Sequence, residues 1–167
     1  PAAVTLLMHK PIGVICSHAD PYHSRTVFNL LPEKWQSQKF LCAGRLDKDS
    51  RGMLVLSTDG DLVHRLTHPS NTVVKRYKVL LNRPLQTESI PKLLQGITLE
   101  GERLKLDKIV PLGAGEHGHK SLEVHLCHGR KREIRRLLEA FGYFTEDLKR
   151  FQIGSLEMKG MPPGSVK

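Results

Sequence analysis

The residues best suited to chemistry lie in a short charged segment in the first third of the chain. Arg45, Asp47 and Asp49 occupy alternating positions just before Gly52 and the apolar residues 53–56. A carboxylate next to a rigid element, with a guanidinium two residues away, can serve as a nucleophile or a base, and it can equally form a structural ion pair. Local chemistry alone leaves both interpretations of Asp47 open.

Two other kinds of carboxylate or metal chemistry are disfavoured. Glycosidases use two carboxylates that flank a sugar, but Asp47 and Asp49 share one short segment and cannot straddle a sugar, so Asp49 is assigned a structural role. His64 and His68 have helical i, i+4 spacing, and four more histidines fall between residues 117 and 128. No glutamate base, cysteine pair or acidic cluster accompanies them, so neither a metal site nor a nuclease is expected.

A second group of chemically suited residues is strongly cationic and lies late in the chain. Five cations fall within seven positions, and apolar residues at helical spacing follow, which predicts a helix over this segment with its basic side and N-terminal turn facing outward. Cations this close repel one another unless an anion is present. The segment is therefore a phosphate-binding or carboxylate-pairing surface, with a solvated helix face as the alternative. The cations are Arg130, Lys131, Arg132, Arg135 and Arg136.

A tyrosine in a predicted strand is the third candidate. Residues 72–81 are rich in β-branched and aromatic types, and alternation places Lys75 and Tyr77 on one face and Arg76 on the other. The ring of Tyr77 can stack on a base and its hydroxyl can exchange a proton. A half-buried core tyrosine is the alternative.

Each of these groups needs an element that positions it. Residues 53–56 form an uninterrupted apolar run before the turn at residues 58–60, which predicts a strand covered on both faces, with a helix as the alternative. Asp59 or Asp61 is expected to cap a helix that continues to His68.

The remaining pattern predicts further short elements. Residues 17–25 form a polar loop that can contact a ligand or simply connect two elements. The expected strands are at residues 4–8, 14–16, 40–43, 104–112 with a bulge at 107–108, and 121–126; turns are expected at 10–13 and 113–119, helices at 27–31 and 85–95, and a hairpin from residue 97.

Composition limits the class of protein. A net charge of +9, from 26 Lys and Arg against 17 Asp and Glu, suggests a polyanionic partner without proving one. Three widely spaced cysteines fit reduced thiols. No apolar stretch approaches the roughly 20 residues needed to cross a bilayer. We expect a cytoplasmic protein with no membrane partner, built as one domain over residues 1–167 or as two small lobes around a cleft.

Several motifs together resemble one enzyme family. Residues 44–69, GRLDKDSRGMLVLSTDGDLVHRLTHP, are similar to the signature of pseudouridine synthases of the RsuA/RluB type. The resemblance recurs in K-P-x-G, C-S and D-P at residues 10–21, in K-x-Y at 75–77, in G-R-x-R-[QE]-[IV]-R-R-[ML] at 129–137, and in L-x-R-x-x-I-G-x-L at 148–156. It covers nearly the whole chain.

The resemblance implies a fold and a set of site residues. The implied fold is α+β, a curved, mainly antiparallel mixed sheet with flanking helices and a central catalytic cleft. In the family, Asp47 would be the catalytic nucleophile, Arg135 the arginine that pairs with it, and Tyr77 the residue that stacks on the uracil. Arg45 would enter the space left by the flipped base or brace the loop. The residues implied for the RNA backbone or for local structure are Lys75, Arg76, Arg130, Arg132 and Arg136.

The implied reaction isomerises a uridine, most often in ribosomal RNA, to pseudouridine. The base must first be flipped out of the stack, and no cofactor or redox step is needed. The expected partner is ribosomal RNA or an assembling ribosomal particle, bound by a monomer that lacks the S4-type RNA-binding domain found in many relatives. A non-catalytic RNA-binding or ribosome-associated module would explain the charge equally well, but it would not require Asp47, Tyr77 and Arg135 to act together.

Overall fold

The structure is a computed structural model that describes residues 2–18, 25–113 and 119–167. The predicted ligand-contacting loop at 17–25 and the turn at 113–119 lie largely outside these residues, as do Asp20 and Pro21 of the opening motif. The described strands are β1 (Thr5–Lys10), β2 (Leu41–Ala43), β3 (Arg51–Ser57), β4 (Lys75–Leu85), β5 (Ile97–Leu99), β6 (Glu102–Leu104), β7 (Lys108–Leu112), β8 (His119–Leu126), β9 (Thr145–Ile153) and β10 (Leu156–Glu157). The α-helices in the same residues are α1 (Gly60–Thr67), α2 (Ser89–Gln95) and α3 (Glu133–Ala140).

The chain forms two compact units. Unit 1 comprises Pro1–Val73 and Phe151–Lys167, and unit 2 comprises Val74–Arg150. Helices and mostly antiparallel strands occur together, so the predicted α+β class is confirmed.

Unit 1 is built around β3. This strand pairs antiparallel with β1, from Thr5↔Ser57 to Lys10↔Gly52, and also with β2. Leu54 and Leu56 pack in one apolar cluster, whereas Met53 and Val55 pack in another. Because successive side chains of a strand point to opposite faces, β3 is covered on both sides. The predicted buried strand is confirmed, and the helical alternative for residues 53–56 is wrong.

The helix after β3 begins at a side-chain cap. The Asp59 carboxylate accepts hydrogen bonds from the backbone N–H groups of Asp61 and Leu62, at 3.0 and 3.3 Å. Of the two aspartates that could have capped α1, it is therefore Asp59 that does so. The apolar face of α1, with Val63 and Leu66, packs on the cluster around Met53 and Val55.

The N-terminal part of unit 1 departs from the prediction in one place. Residues 14–16 were expected to form a strand, but Ile15 makes only an isolated parallel bridge with Thr26. Its backbone bonds Arg25 and Val27 across this bridge, so no longer ladder forms. The helix predicted at 27–31 is a short 3₁₀ helix, Val27–Leu30, whose preceding N–H at Thr26 donates to the Asn29 side chain.

Unit 2 is built around β4. Its strand order is β9-β4-β8-β7, and β4 pairs antiparallel with β8 from Lys75↔Leu126 to Leu80↔Ser121. Tyr77 and Val79 are buried, while Lys78 and Leu80 are exposed, so the predicted alternation is confirmed. Pro91 lies in the first turn of α2, where a missing N–H is tolerated.

Two predictions in unit 2 are wrong. The expected bulge at residues 107–108 is instead a connection between separate strands, because β6 pairs with β5 in a hairpin while β7 pairs with β8. The late helix begins at Glu133 rather than before the basic run, since Arg132 has a left-handed backbone (φ +53°). Arg130, Lys131 and Arg132 therefore lie in a turn, and Arg135 and Arg136 lie on α3.

Candidate active site

Asp47 lies on a tight turn that leads directly into β3. The N–H of Ser50 donates to the Asp47 carbonyl at 3.0 Å, which closes the turn over residues 47–50. Gly44, three residues before Asp47, has φ +88°, a left-handed backbone conformation that favours glycine. A Cβ at this position would meet no atom within 4 Å, so the backbone conformation, and not a lack of space, is the reason for glycine. Asp47 is half-buried and Asp49 is exposed. We call residues 47–50 the Asp47 turn.

The carbonyl groups around the Asp47 turn accept hydrogen bonds from the opening motif of the chain. The N–H of Gly13 donates to the Lys48 carbonyl at 2.8 Å, and the thiol of Cys16 donates to the Leu46 carbonyl at 3.5 Å. Lys10, fully buried, donates from Nζ to the Ser50 carbonyl at 2.7 Å and to the Pro11 carbonyl at 3.0 Å. Residues about 30 to 40 positions apart in sequence therefore fix the backbone that carries Asp47.

Arg45 is exposed and points its guanidinium at the same opening segment. Its Nη2 donates to the Ser17 hydroxyl at 3.3 Å. A contact of this kind is what the loop-bracing alternative predicts for Arg45.

Tyr77 and Lys75 lie side by side on the inner face of β4 in unit 2. Tyr77 is 7% exposed and stands opposite Val124 of β8. Lys75 is half-buried, and this burial lowers the pKa of its ammonium group, with the nearby charge of Arg150 lowering it further. Arg76 lies on the other face of β4, opposite His125. The structure thus brings Lys75 and Tyr77 together and places Arg76 apart from them.

The turn that carries Arg130, Lys131 and Arg132 is held from inside by one carboxylate. We call residues 128–132 the basic turn; these three cations are exposed, whereas the side chain of Glu133 is 1% exposed. Glu133 Oε1 accepts from the Arg130 N–H at 3.2 Å, and Oε2 accepts from the Lys105 N–H at 3.2 Å. His128 Nε2 lies 3.2 Å from the same Oε2.

A second carboxylate, Glu102 of β6, pairs with the outer cations. Glu102 lies 2.9 Å from Nη1 of Arg136 and 3.6 Å from Nη1 of Arg130. The hydrogen bond from Arg136 holds the pKa of Glu102 below its usual value, against the opposing effect of desolvation. Arg136 Nη1 also donates to the Lys131 carbonyl at 3.0 Å. Arg136 thus makes local contacts of the structural kind that the sequence left open for it.

Arg135 follows on α3 and is partly buried. Its Nη1 donates to the Thr145 carbonyl at 3.4 Å, at the start of β9. Of the three predicted catalytic residues, Tyr77 and Arg135 lie in unit 2, and Asp47 lies in unit 1.

Neither metal chemistry nor thiol chemistry gains support from the geometry. Across residues 2–18, 25–113 and 119–167, no group of three or more His, Cys, Asp or Glu side chains is placed to hold a metal ion. The pKa of the Cys127 thiol is raised, chiefly by its hydrogen bond to Asp107, so it stays protonated at neutral pH. No helix in the described part of the chain is both long enough and apolar enough to cross a membrane.

Sequence reasoning missed two residues of this region. Glu133 was not singled out within the predicted basic helix. A lone carboxylate inside a run of five cations is nevertheless a signal for a buried counter-charge. Glu102 gave no signal, because its partner Arg136 lies 34 positions away and the hairpin that presents Glu102 packs by tertiary contacts.

Comparison with known proteins defines the class. The family model described as RNA pseudouridylate synthase matches residues 4–140, and the chain belongs to this family. It is 36% identical over 160 residues to a Vibrio cholerae protein and 37% identical over 160 residues to a Yersinia pestis protein, both named ribosomal large subunit pseudouridine synthase B. These matches cover 95% of this chain but 49% and 50% of the relatives, so the chain spans about half their length.

Solved structures agree with the family assignment. A structure described as a pseudouridylate synthase superposes with a TM-score of 0.88 at 27% identity, and the match covers 99% of this chain and 70% of that one. A chain from an H/ACA RNP bound to a substrate RNA containing 2′-deoxyuridine superposes with a TM-score of 0.62 at 18% identity, over 93% of this chain and 49% of that one, which shows a shared fold. The expected pseudouridine synthase fold is confirmed.

Proposed function

We propose that this protein converts a uridine of large-subunit ribosomal RNA into pseudouridine. Its membership of the RNA pseudouridylate synthase family and the names of its similar proteins support the reaction and the substrate class. The observation that carries the proposal is the Asp47 turn, where a half-buried carboxylate stands on a braced backbone at the position of the family's nucleophile.

The proposed reaction is an isomerisation with no change in oxidation state. The bond from the ribose C1′ to the uracil N1 breaks, a bond from C1′ to the uracil C5 forms, N1 gains a proton and C5 loses one. Asp47 is the reacting carboxylate, because it stands at the position of the family's nucleophile and a carboxylate can form a covalent intermediate with a substrate carbon. No metal or cofactor is required for these steps.

The other site residues are proposed from their chemistry. Tyr77, opposite Val124 in the β4–β8 ladder, contacts the uracil through its aromatic ring. Arg135 balances the charge of the reacting carboxylate. Phosphate contacts then offset the few kcal/mol that base flipping costs. The residues proposed to bind the RNA are Arg45, Lys75, Arg76, Arg130, Arg132 and Arg136.

Pseudouridine mapping in cells tests the proposal. Total RNA from a strain that lacks the protein would be treated with carbodiimide and sequenced, with complementation by the wild-type protein, Asp47→Asn or Asp49→Asn. The two substitutions make the same chemical change two positions apart, so Asp49→Asn controls for loss of charge on this segment. We expect one ribosomal uridine to lose its signal, restored by wild type and Asp49→Asn but not by Asp47→Asn.

The opposite result has a clear meaning. If the RNA profile does not change in the deletion strain, or if Asp47→Asn restores the signal, the enzyme assignment falls and a non-catalytic RNA-binding module takes its place. We also propose a cytoplasmic monomer that acts on free RNA or an assembling particle, which cell fractionation and sedimentation with each RNA form would measure.

A further inference from the structure

The basic turn presents three exposed cations on a backbone that one buried side chain holds. Glu133 accepts the backbone N–H of Arg130 within the turn and the backbone N–H of Lys105 in the connection between β6 and β7, and it lies beside His128 at the start of the turn. One carboxylate thus joins the basic turn to a segment 28 positions away in sequence. The position of Arg130, Lys131 and Arg132 depends on it.

The Glu133 side chain is only 1% exposed, and an ionised carboxylate taken out of water loses favourable hydration that other interactions must replace. Two backbone N–H groups donate hydrogen bonds to the Glu133 carboxylate. Glu133 is also the first residue of α3, where the helix dipole favours a negative charge. Most of the donors are backbone groups of the turn and its neighbours. The carboxylate therefore fixes a backbone conformation.

This conformation is one that the local sequence does not favour. Arg132 adopts a left-handed backbone, with φ +53°, immediately before α3. A non-glycine residue in this region is energetically unfavourable, and three adjacent cations repel one another. An internal counter-charge beneath the turn offsets both effects. When RNA arrives, the cations then need no further ordering, which favours binding.

We propose that Glu133 is a positioning residue for RNA, and that it holds the basic turn in the conformation that binds phosphates of the substrate. The proposal rests on the RNA-modifying function proposed above and deepens it. Arg130, Lys131 and Arg132 contact the phosphate oxygens, while Glu133 acts only through them. Its carboxylate, buried under the turn, does not contact the RNA.

The sign of one substitution distinguishes this role from bulk electrostatics. Glu133→Leu removes a negative charge from a protein that binds a polyanion, so charge alone would strengthen RNA binding. It also leaves the backbone N–H groups of Arg130 and Lys105 without their acceptor and loosens the turn, whereas the glutamine that the family motif admits here would keep an amide oxygen as acceptor. We expect Glu133→Leu to bind in vitro-transcribed large-subunit ribosomal RNA about tenfold more weakly than the wild type. Glu139→Gln, an exposed position on the same helix with the same charge change, should bind as tightly as wild type or slightly more tightly.

Two readouts separate positioning from general destabilisation. The slope of log Kd against log salt should fall by about 0.7 for each RNA phosphate that the variant no longer binds. A variant that keeps the basic turn intact would show no change in this slope. In steady state KM should rise about tenfold while kcat stays within about threefold. In a variant with alanine at residues 130, 131 and 132, Glu133→Leu should weaken RNA binding no further. Glu133→Asp, which keeps the charge but shortens the side chain, gives the same test if Glu133→Leu does not fold.

The outcomes are distinct from failure of the proposed function. If wild-type protein forms pseudouridine but Glu133→Leu binds RNA as tightly as Glu139→Gln with an unchanged salt slope, the positioning role is overturned. A fall in kcat at constant KM would also overturn it. If wild-type protein forms no pseudouridine in any ribosomal RNA, the proposed function fails, while the RNA-binding comparison still decides whether Glu133 holds the turn.

Discussion

In unit 1 the Asp47 turn is held by donors that reach its carbonyl groups, whereas in unit 2 the basic turn is held by an acceptor that reaches its N–H groups. Gly13, Cys16 and buried Lys10 supply the donors to the carbonyls from Leu46 to Ser50. Glu133 supplies the acceptor beneath Arg130. The buried Lys10 is opposite in charge to Asp47, and the buried Glu133 is opposite in charge to the three cations of the basic turn.

The comparison shows two ways of fixing the backbone that carries a functional side chain. The donors in unit 1 bond the backbone around Asp47, and the carboxylate in unit 2 bonds the backbone around the cations. Because backbone groups take the hydrogen bonds, the charged side chains on each turn are positioned by the main chain that carries them. Perturbing either anchor should therefore move a turn rather than change its charge.

The largest effect is expected from the anchor of the Asp47 turn. Lys10→Met removes a fully buried ammonium and leaves the Ser50 and Pro11 carbonyls without their donor. We expect the free energy of unfolding to fall by about 3 kcal/mol, measured by urea denaturation. Lys39→Met, at an exposed position, is the matched control and should change it by less than about 0.5 kcal/mol. A Lys10→Met protein as stable as wild type would mean that the turn does not depend on this lysine.

A smaller effect, opposite in sign to that of Glu133, is expected from Glu102. This carboxylate pairs with Arg130 from outside the turn, where an arriving phosphate would compete with it. Glu102→Gln should tighten RNA binding about threefold, since an exposed pair contributes little and phosphate would replace it. Glu139→Gln, at an exposed position away from the hairpin, makes the same charge change and isolates the local effect. Equal RNA affinities for the two variants would show that Glu102 does not compete with phosphate at Arg130.

The smallest expected effect is a change in the pKa of the Glu102 carboxyl group. Because the hydrogen bond from Arg136 lowers the pKa of Glu102 below its usual 4.5, this pair stabilises the folded state fully above that pH, and the contribution is lost as pH falls through the lowered folded pKa. In Arg136→Gln, the pKa of Glu102 should rise back towards 4.5. Carboxyl-carbon NMR over pH 2 to about 6 would follow it. An unchanged titration in the variant would remove Arg136 as the cause.

Much of unit 1 could be predicted because its signals are local. The apolar run at residues 53–56 is short, uninterrupted and bounded by turns, so the nearby sequence is enough to predict β3. Asp59 directly precedes apolar residues at helical spacing, so the nearby sequence also predicts the cap of α1. The isolated bridge at Ile15 could not be predicted, since the pairing depends on where Thr26 returns in space.

Unit 2 contains elements whose boundaries depend on tertiary contacts and not on the nearby sequence alone. The alternation of β4 was correct because Tyr77 and Val79 on one face are buried, whereas Lys78 and Leu80 on the other are exposed. The bulge at 107–108 was wrong because the choice between one bent strand and two strands depends on partners, β5 for one and β8 for the other. The start of α3 was placed too early because helical periodicity does not reveal a left-handed residue such as Arg132, which tertiary contacts of Glu133 stabilise.

The most direct test of the account is release of tritium from ribosomal RNA labelled at C5 of uridine, since the new C–C bond expels that hydrogen. Wild-type protein and Asp49→Asn should release tritium from unmodified large-subunit RNA at similar rates, and Asp47→Asn should release it at least roughly a thousandfold more slowly while binding the RNA as well as wild type. Release by Asp47→Asn at the wild-type rate, or no release by any of the three proteins despite RNA binding, would contradict the account.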